Sequence, residues 1–377
     1  MHRLPLIALL AAAPAAPAAA APRIAGAAET TFSWANDRCA TWDIPDTPAR
    51  AWRDASGATH LVAGSEASRA SVGPDLDHLS RDCSVLYQAA GNPDPAAVDE
   101  RGWIHSIFTA DGVHVIALVH EEFHGRIGVT CESDSSGDCW RNSIVEISSD
   151  DGGRTFRRQG LALVAGPPYR YNDDADGRTG YFNPSNILER EGFLYVFVWA
   201  TGDHAQRTGA CLLRRPVNGD AADWRGWDGS GFTVRFVDPY REDVPDPAEH
   251  VCAPLDGVTS VISSVVASPD GGFVAVSPTT RAEEAGRVSG IHWMQSPDLL
   301  KWSSPELLLP VPLLWRHGCD ESQVYAYPAL LDPDSPSPVY ATVSRHLWLY
   351  LAEIRLVDCR AGPERNLVRF PINLPAP

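Results

Sequence analysis

The chain lacks the excess of basic residues that binding to nucleic acid or to an anionic membrane surface requires. It carries 31 Lys and Arg against 48 Asp and Glu, which gives a formal net charge of -17. We therefore expect neither nucleic acid nor a membrane as a partner. The sequence also has no Walker loop, no G-x-S-x-G and no dinucleotide fingerprint, which argues against nucleotide and α/β-hydrolase chemistry.

Segments with helical periodicity are few, whereas residues typical of strands and turns are abundant. The 377 residues include 30 Gly, 31 Pro and 12 Trp, and 44% of them are hydrophobic. A chain of this length can bury a large core. The composition favours an all-β protein that is rich in turns.

The N-terminal segment has the features of a signal peptide. A basic start precedes the apolar run LPLIALLAAA, which is too short to span a membrane, and small-x-small cleavage sites end at Ala21 and Ala27. We prefer cleavage after Ala27, because Pro22 would otherwise follow the cut. The sequence thus predicts a secreted or periplasmic protein, with a signal peptide at 1–27 and one domain at 28–377.

The cysteines indicate disulfide bonds rather than a zinc site. An even count of 8 after a signal peptide is typical of disulfides in an oxidising compartment. The nearest pair, Cys131 and Cys139, closes the loop ESDSSGD and is the first predicted bond. There is no C-x-x-C and no Cys/His zinc spacing, so we expect no structural zinc.

One strand–turn–strand pattern organises the chain, and it is clearest at 103–125. Asp111-Gly112 separates two apolar runs and predicts a hairpin with a type I′ turn, which needs positive φ at both central positions. The second run, 113–119, is almost wholly apolar, as a strand buried on both faces should be. It ends in the polar cluster His120 to His124.

The same pattern recurs in other parts of the chain. Copies lie at 49–62, 182–199, 258–276 and 325–351. Repeats at this spacing indicate blades or arrays of repeated units. We therefore predict a β-propeller and prefer five blades, with six as the alternative.

Residues 149–156, SDDGGRTF, resemble the Asp-box S-x-D-x-G-x-T-F/W of sialidase-like propellers. In that motif the Ser and Asp cap a turn, Gly takes positive φ and the aromatic residue packs between strands. The motif is structural rather than catalytic. Degenerate copies begin at Ser268 and Ser296.

The region after the signal peptide resembles the five-bladed propellers of glycoside hydrolase family 43 and its relatives. The pattern consists of a blade start, a Gly turn and an aromatic strand; the starts are DTP at Asp46, Trp103 and NPSN at Asn183. The strings SPDLLKWSSPELLL from Ser296 and LLRRPVNGDAADWRGWDG from Leu212 resemble the family's blade endings. The resemblance implies a carbohydrate ligand at the axial mouth.

The resemblance also implies three catalytic carboxylates, a base, a pKa modulator and an acid, from the first three blades. Only Asp46 matches such a position. The second-blade position falls near His105 and Ser106, and the third near Asn183. This departure permits a different catalytic set or a propeller that only binds glycans.

Residues at the blade starts and after the buried strand form the predicted site. We predict Asp46, Glu122 and His120 as catalytic, because period-two alternation places His120 and Glu122 on one face of the strand. Glu121 then points to the other face, where we expect pairing with an arginine. As residues that contact the substrate we predict Arg50, Glu121, Asn183, Asn186 and Trp103.

The string HEEFH formally matches the H-E-x-x-H motif of zinc metalloproteases. On a helix the two imidazoles share one face, but on a strand they lie about 13 Å apart, too far for one zinc ion. The β-rich residues before the motif and Gly125 after it favour the strand. We therefore predict a strand end that binds no metal.

The sequence as a whole favours a secreted carbohydrate-active enzyme, a glycoside hydrolase that uses carboxylate acid–base chemistry. The alternatives are a non-catalytic glycan-binding propeller and, with less support, a zinc metalloprotease. We expect a carbohydrate substrate, a monomer and no cofactor. The sequence leaves open whether a structural calcium ion fills the propeller axis.

Overall fold

The protein is almost entirely β-structure, which confirms the predicted class. The computed structural model describes residues 22–125, 139–171, 177–283 and 286–375. Besides strands, it contains one short helix, α1 (Trp34–Asp37), and two 3-10 turns, Ala221–Asp223 and Pro247–His250.

Strands make up most of both halves of the chain. The first half contributes β1 (Arg23–Ile24), β2 (Glu29–Phe32), β3 (Arg50–Arg53), β4 (Thr59–Val62), β5 (Ala70–Gly73), β6 (Ser80–Arg81), β7 (Arg101–Thr109), β8 (Val115–His124), β9 (Trp140–Ser149), β10 (Leu163–Ala165), β11 (Thr179–Phe182) and β12 (Leu188–Arg190). The second half contributes β13 (Phe193–Thr201), β14 (Gly209–Pro216), β15 (Arg225–Trp227), β16 (Phe232–Val234), β17 (Ser264–Ala267), β18 (Phe273–Glu283), β19 (Gly286–Ser296), β20 (Glu306–Pro310), β21 (Gln323–Leu331), β22 (His346–Val357) and β23 (Arg360–Asn373).

These strands form antiparallel meanders, as the blades of a propeller do. Strands β3 to β6 make one sheet and β17 to β20 another. The meanders of β7 to β10 and β12 to β16 join into a ten-stranded sheet through β11, which pairs with β13 and runs parallel to β9. A last sheet contains β21, β22 and β23, with β1 and β2 both paired to β23. The number of blades stays a prediction.

The predicted strand–turn–strand units coincide with β3/β4, β7/β8, β12/β13, β17/β18 and β21/β22. One turn differs from the prediction. The Asp111-Gly112 hairpin is not a type I′ turn, because only Gly112 has positive φ. The connection between β7 and β8 is longer than two residues, because β7 ends at Thr109 and β8 begins at Val115. Within it, the Asp111 carboxylate accepts hydrogen bonds from the backbone N–H groups of Val113 and His114, both at 2.8 Å. By contrast, Glu191 and Gly192 both have positive φ, at 53° and 79°.

Strand β8 is buried on both faces over most of its length, as its apolar sequence predicts. Ala117, Leu118 and Val119 are fully buried and belong to the largest apolar cluster, which also contains Ile104 of β7 and Ile144 of β9. Full burial of each large aliphatic side chain contributes about 1.5–3 kcal/mol. The strand continues through His124, so HEEFH is extended rather than helical, as predicted.

Disulfide bonds join Cys39 to Cys83, Cys211 to Cys252 and Cys319 to Cys359. The predicted Cys131–Cys139 bond cannot be placed, because Cys131 lies outside the described residues. Within the described ranges, no helix has the length and apolar character needed to cross a membrane.

The loop after β9 has the hydrogen bonds that the SDDGGRTF string predicts. The Asp151 carboxylate accepts from the backbone N–H groups of Arg154 and Thr155, both at 2.9 Å. Gly153 has φ of +87°, and a Cβ atom there would lie 2.7 Å from the Trp52 ring, so only glycine fits without displacement. The likeness to an Asp-box remains a resemblance.

Candidate functional site

A cavity of about 480 Å³ is lined by residues of the three sheets that contain β7, β18 and β21, by loop residues, and by Asp46 and Pro48, which precede β3. Its lining includes the predicted residues Asp46, Trp103, His120, Glu122 and Asn183. The aromatic side chains around them include Trp140, Phe182, Trp199, Trp315, Tyr325 and Tyr327. A concave site with apolar walls and a few converging polar groups is the usual form of a small-molecule or sugar site.

Asp46 lies between β2 and β3 and is held by two side chains from the last sheet. The Tyr327 hydroxyl donates to Asp46 Oδ1 at 2.9 Å, and Arg365 Nη1 forms an ion pair with the same oxygen. Burial raises the pKa of Asp46, the charge of Glu122 adds to this rise, and Arg365 and Tyr327 oppose it.

The position of Tyr327 depends on an irregularity in β21. The pairing of β21 with β22 shifts register between Ala326 and Ala329, and Tyr327 has a positive φ of 59°. The next residue is Pro328, which has no N–H to donate to the sheet. This local break in the strand places the phenol hydroxyl at Asp46.

Glu122 lies on the face of β8 that lines the cavity, together with His120 and His124. Its Oε2 atom is 3.0 Å from His124 Nε2, and its Oε1 atom is 3.8 Å from His120 Nε2. The carboxyl group is 12% exposed, so it can still reach a ligand in the cavity. Period-two alternation along the strand predicted this arrangement of His120 and Glu122.

His120 is fixed by hydrogen bonds within the ten-stranded sheet. The Asn142 side chain donates through Nδ2 to the Thr179 carbonyl at 3.2 Å, so its Oδ1 atom is the acceptor for His120 Nε2 at 2.8 Å. His120 therefore carries its proton on Nε2 when neutral. Burial lowers the pKa of His120, while the charge of Glu122 and the bond to Asn142 oppose this.

His105 packs beside His120 on the neighbouring strand β7. The two ring centroids are 5.4 Å apart and the rings meet edge to face. Burial lowers the pKa of His105 well below its usual value, so the ring is neutral. Among the described residues, its Nδ1 atom has no hydrogen-bond partner. It is a second uncharged imidazole in the cavity wall.

Two of the residues predicted to contact substrate serve as cross-links between sheets instead of lining the cavity. Buried Arg50 donates to the backbone carbonyls of His105 at 2.6 Å and of Ser263 at 2.7 Å. Burial lowers the pKa of Arg50 to about 9. The Asn186 amide binds both backbone groups of Val265, accepting at 2.8 Å and donating at 2.7 Å.

Glu121 was also predicted to contact the substrate, but it does not line the cavity. Its side chain points away from the cavity, as alternation along β8 predicted. It is buried, and its Oε1 atom accepts a hydrogen bond from the Tyr87 hydroxyl at 2.8 Å. Among the described residues this tyrosine, rather than an arginine, is the hydrogen-bonding partner.

Trp103 and Asn183 do line the cavity. The Trp103 ring centroid lies 6.4 Å from that of His120, and Asn183 has a positive φ of 47°.

The sequence did not point to Tyr327 or Arg365, although both contact Asp46. A proline inside a strand is a signal for an irregular position, and Pro328 could have marked Tyr327.

For the chain segments that the structure covers, no group of three or more His, Cys, Asp or Glu is arranged to hold a metal ion.

Several solved glycoside hydrolases resemble the chain over most of its length. The endo-arabinase from Bacteroides thetaiotaomicron VPI-5482 shares 11% identity at a TM-score of 0.50, over 91% of this chain and 97% of that chain. The catalytic domain of the Coprinopsis cinerea GH62 α-L-arabinofuranosidase shares 8% identity at a TM-score of 0.48, over 92% of this chain and 96% of that chain. A GH43_12 protein from a capybara gut metagenome shares 10% identity at a TM-score of 0.45, over 87% of this chain. The present chain spans about half of that protein, 51% of its length.

No family model and no curated protein matches the sequence. The structural likeness, carried by the endo-arabinase, establishes the fold: a β-propeller that resembles those of family 43 and related glycoside hydrolases. At this level of identity the likeness says nothing about the reaction.

Proposed function

We propose that the protein is an exported glycoside hydrolase that cleaves an oligosaccharide or polysaccharide in the cavity. The observation that carries the proposal is that Asp46 and Glu122 line the same aromatic cavity. Most glycoside hydrolases use a pair of carboxyl groups on either side of the bond that is cleaved. The disulfide bonds support export to an oxidising compartment.

Asp46 is suited to act as the general base. Its raised pKa makes the carboxylate a stronger proton acceptor, and general bases work best with a pKa near the working pH. Arg365 and Tyr327 both bind Oδ1, which leaves Oδ2 to take a proton from the attacking water. The water oxygen then bonds to the anomeric carbon as the glycosidic bond breaks.

Glu122 is suited to act as the general acid. It donates its proton to the glycosidic oxygen as that oxygen leaves the anomeric carbon. Between turnovers Asp46 releases its proton to water and Glu122 takes one up from water. His124 Nε2 lies 3.0 Å from the Glu122 carboxyl group and helps to hold it in place. His120 lies beside the pair and donates through Nε2 to Asn142, and this bond holds its ring in place.

A non-catalytic glycan-binding propeller is the second candidate. Asn183 favours it, because an amide stands near the position where the resembling hydrolases carry their acid. An amide can hydrogen-bond a sugar hydroxyl but cannot act as a general acid.

The test is a screen of the purified protein against a panel of polysaccharides and oligosaccharides, with detection of released sugars. Arabinan belongs in the panel because the endo-arabinase has the same fold. On a cleaved substrate, Asp46→Asn and Glu122→Gln should each lower kcat by roughly a hundredfold or more. Binding without cleavage across the panel would support the second candidate instead.

Matched control variants separate catalysis from folding. Asp243→Asn and Glu189→Gln make the same chemical changes at exposed positions outside the cavity, and both should keep wild-type rates. Circular dichroism should show the folded spectrum of the wild type for all variants. Near-wild-type turnover in both Asp46→Asn and Glu122→Gln would exclude this pair as the catalytic groups.

A further inference from the structure

The cavity lining is rich in cationic groups, although the protein as a whole is strongly acidic. Among the described residues that line it are four arginines, at 101, 178, 316 and 365. The carboxyl groups in the same lining are Asp46 and Glu122. This local excess contrasts with a net charge of -17 for the chain.

Two of the arginines are already neutralised by ion pairs. Arg101 pairs with Glu66, and Arg365 pairs with Asp46. These guanidinium groups are therefore engaged within the protein.

Arg178 and Arg316 differ from the two paired arginines, because within the described ranges neither side chain makes an ion pair or a hydrogen bond. Arg178 lies over aromatic rings, 4.8 Å from the Trp140 centroid and 5.6 Å from the Phe182 centroid. Stacking on a ring face holds the guanidinium plane and leaves its N–H groups free to donate at the edge. Both arginines are exposed to solvent in the cavity.

Arg178 is close to the proposed catalytic groups. The Phe182 ring, over which Arg178 lies at 5.6 Å, is itself 5.5 Å from the His120 ring on the cavity face of β8. An anionic group bound at Arg178 would therefore lie near the carboxyl pair and the bond to be cleaved.

Arg316 stands on a different loop, beside an unusually exposed aromatic residue. Trp315 is 78% exposed and has a positive φ of 67°, a conformation that few tryptophans adopt. Trp315 lines the cavity, so its exposed ring is available to pack against a ligand there, as aromatic side chains do in small-molecule sites. The loop is anchored three residues later by the Cys319–Cys359 bond.

We propose that the substrate is an anionic glycan, whose carboxylate or sulfate groups bind Arg178 and Arg316 while a sugar ring packs on Trp315. This inference rests on the proposed function and names its substrate class. The planar guanidinium matches a carboxylate or sulfate with two parallel hydrogen bonds. A cationic cavity also concentrates the field of its charges, which draws an anionic group in despite the acidic surface.

The test measures binding of defined oligosaccharides to the purified wild-type protein by titration calorimetry. The anionic ligands are oligogalacturonides and sulfated galactan oligosaccharides, which distinguish a carboxylate from a sulfate. Methyl-esterified oligogalacturonides provide a neutral ligand with the same backbone, and arabino- and xylo-oligosaccharides provide unrelated neutral ligands. We expect an anionic ligand to bind at least tenfold more tightly than its neutral counterpart, and the difference to shrink as salt is added.

Variants connect the charge preference to the two arginines. Arg178→Gln and Arg316→Gln should each weaken binding of the anionic ligand by roughly tenfold or more, and should leave binding of the neutral ligand unchanged. Arg207→Gln, an exposed arginine outside the cavity, is the matched control and should have no effect.

The outcomes separate this inference from the proposed function. Cleavage of a neutral glycan, with no preference for anionic ligands, would overturn the inference and leave the hydrolase intact. Phosphate-dependent cleavage that yields a sugar phosphate would also overturn it, because the arginines would then bind inorganic phosphate. Tight binding of anionic glycans without hydrolysis would support the inference and overturn the hydrolase.

Discussion

Glu121 is a carboxyl group buried on the side of β8 that faces away from the cavity. Burial raises its pKa to about 8; Asp99 and Glu122 add to the rise, and the Tyr87 hydrogen bond and Arg158 oppose it. Its Oε1 atom accepts from Tyr87, while its Oε2 atom has no partner among the described residues. A carboxylate is costly in such a place, so the group holds its proton at neutral pH.

This protonation makes stability depend on pH. The folded protein keeps the Glu121 proton up to about pH 8, whereas the unfolded chain releases it near its ordinary pKa of 4.5. The free energy of unfolding should therefore fall as the pH rises from about 4.5 to about 8, by a few kcal/mol at roughly 1.4 kcal/mol per pKa unit. Glu121→Gln removes the titration and should flatten this part of the curve. Chemical denaturation at a series of pH values measures it.

The matched control is Glu189→Gln at an exposed position of β12. It should leave the pH dependence of the wild type unchanged. If Glu121→Gln keeps the wild-type slope between these pH values, Glu121 is ionised in the folded protein.

At the residue scale, the sequence indicated which side chains of β8 face the cavity but not how Asp46 is held. Asp46 was identified by its place in a blade start, and Glu122 and His120 by alternation along one strand. The partners of Asp46 are 281 and 319 residues away in the chain, at Tyr327 and Arg365. Contacts of such separation depend on how the sheets are arranged around the cavity, and no local pattern encodes them.

At the scale of elements, Asn186 links the segment before β12 to strand β17, which belongs to a different sheet. It precedes β12, and its amide binds both backbone groups of Val265 in β17. Ser264 also donates to its Oδ1 atom, at 3.3 Å. A single buried side chain thus satisfies polar backbone groups that would otherwise lack partners at this contact.

Removing the amide should destabilise the protein markedly. Asn186→Ala leaves the buried N–H and C=O groups of Val265 without partners and should lower the free energy of unfolding by roughly 2–4 kcal/mol. Asn186→Asp should cost more, because it keeps the acceptor, loses the donor and buries a charge. Urea denaturation followed by tryptophan fluorescence measures both.

Asn218→Ala serves as the control, since Asn218 is exposed in the turn after β14. Its effect should be within about 0.5 kcal/mol of zero. A comparably small effect at Asn186 would mean that the contact between the segment before β12 and strand β17 is held by apolar packing alone.

Strand identities were more predictable from the sequence than the loops between them. The β-branched run before HEEFH predicted the strand, and burial on both faces confirms it. The Asp111-Gly112 loop differed because the Asp111 carboxylate and the Thr109 hydroxyl bind its backbone N–H groups, which stabilises a longer connection. Side-chain hydrogen bonds of this kind compete with the two-residue turn that the dipeptide predicts.

At the scale of the molecule, the two ends of the described chain meet in one sheet. Strands β1 and β2 both pair with β23, near the C-terminus. Arg369 of β23 also bridges Glu29 and Asp77, and thereby ties β2 to the connection between β5 and β6. The participation of residues before position 28 differs from the prediction that they form a signal peptide outside the domain.

The short strand β1 lies within the segment that cleavage after Ala27 would remove, whereas cleavage after Ala21 would retain it. Arg23 and Ile24 pair with Asn373 and Ile372, and Ala25 donates its N–H to the Pro371 carbonyl at 2.7 Å. Ile24 also packs against an apolar cluster shared by the last two sheets. The segment is therefore built into the sheet that contains β23.

A chain that begins at residue 28 should fold but be less stable than one that begins at residue 22. Loss of the β1 backbone hydrogen bonds and of the Ile24 contact should lower the free energy of unfolding by roughly 2–4 kcal/mol. Differential scanning calorimetry of the two chains under the same conditions measures the difference. Hydrogen exchange should also be faster at the amides of β23 that face β1, because that edge becomes open to water. Equal melting temperatures and equal exchange would show that β1 contributes nothing to the sheet, and the domain would then begin at residue 28 as the sequence predicted.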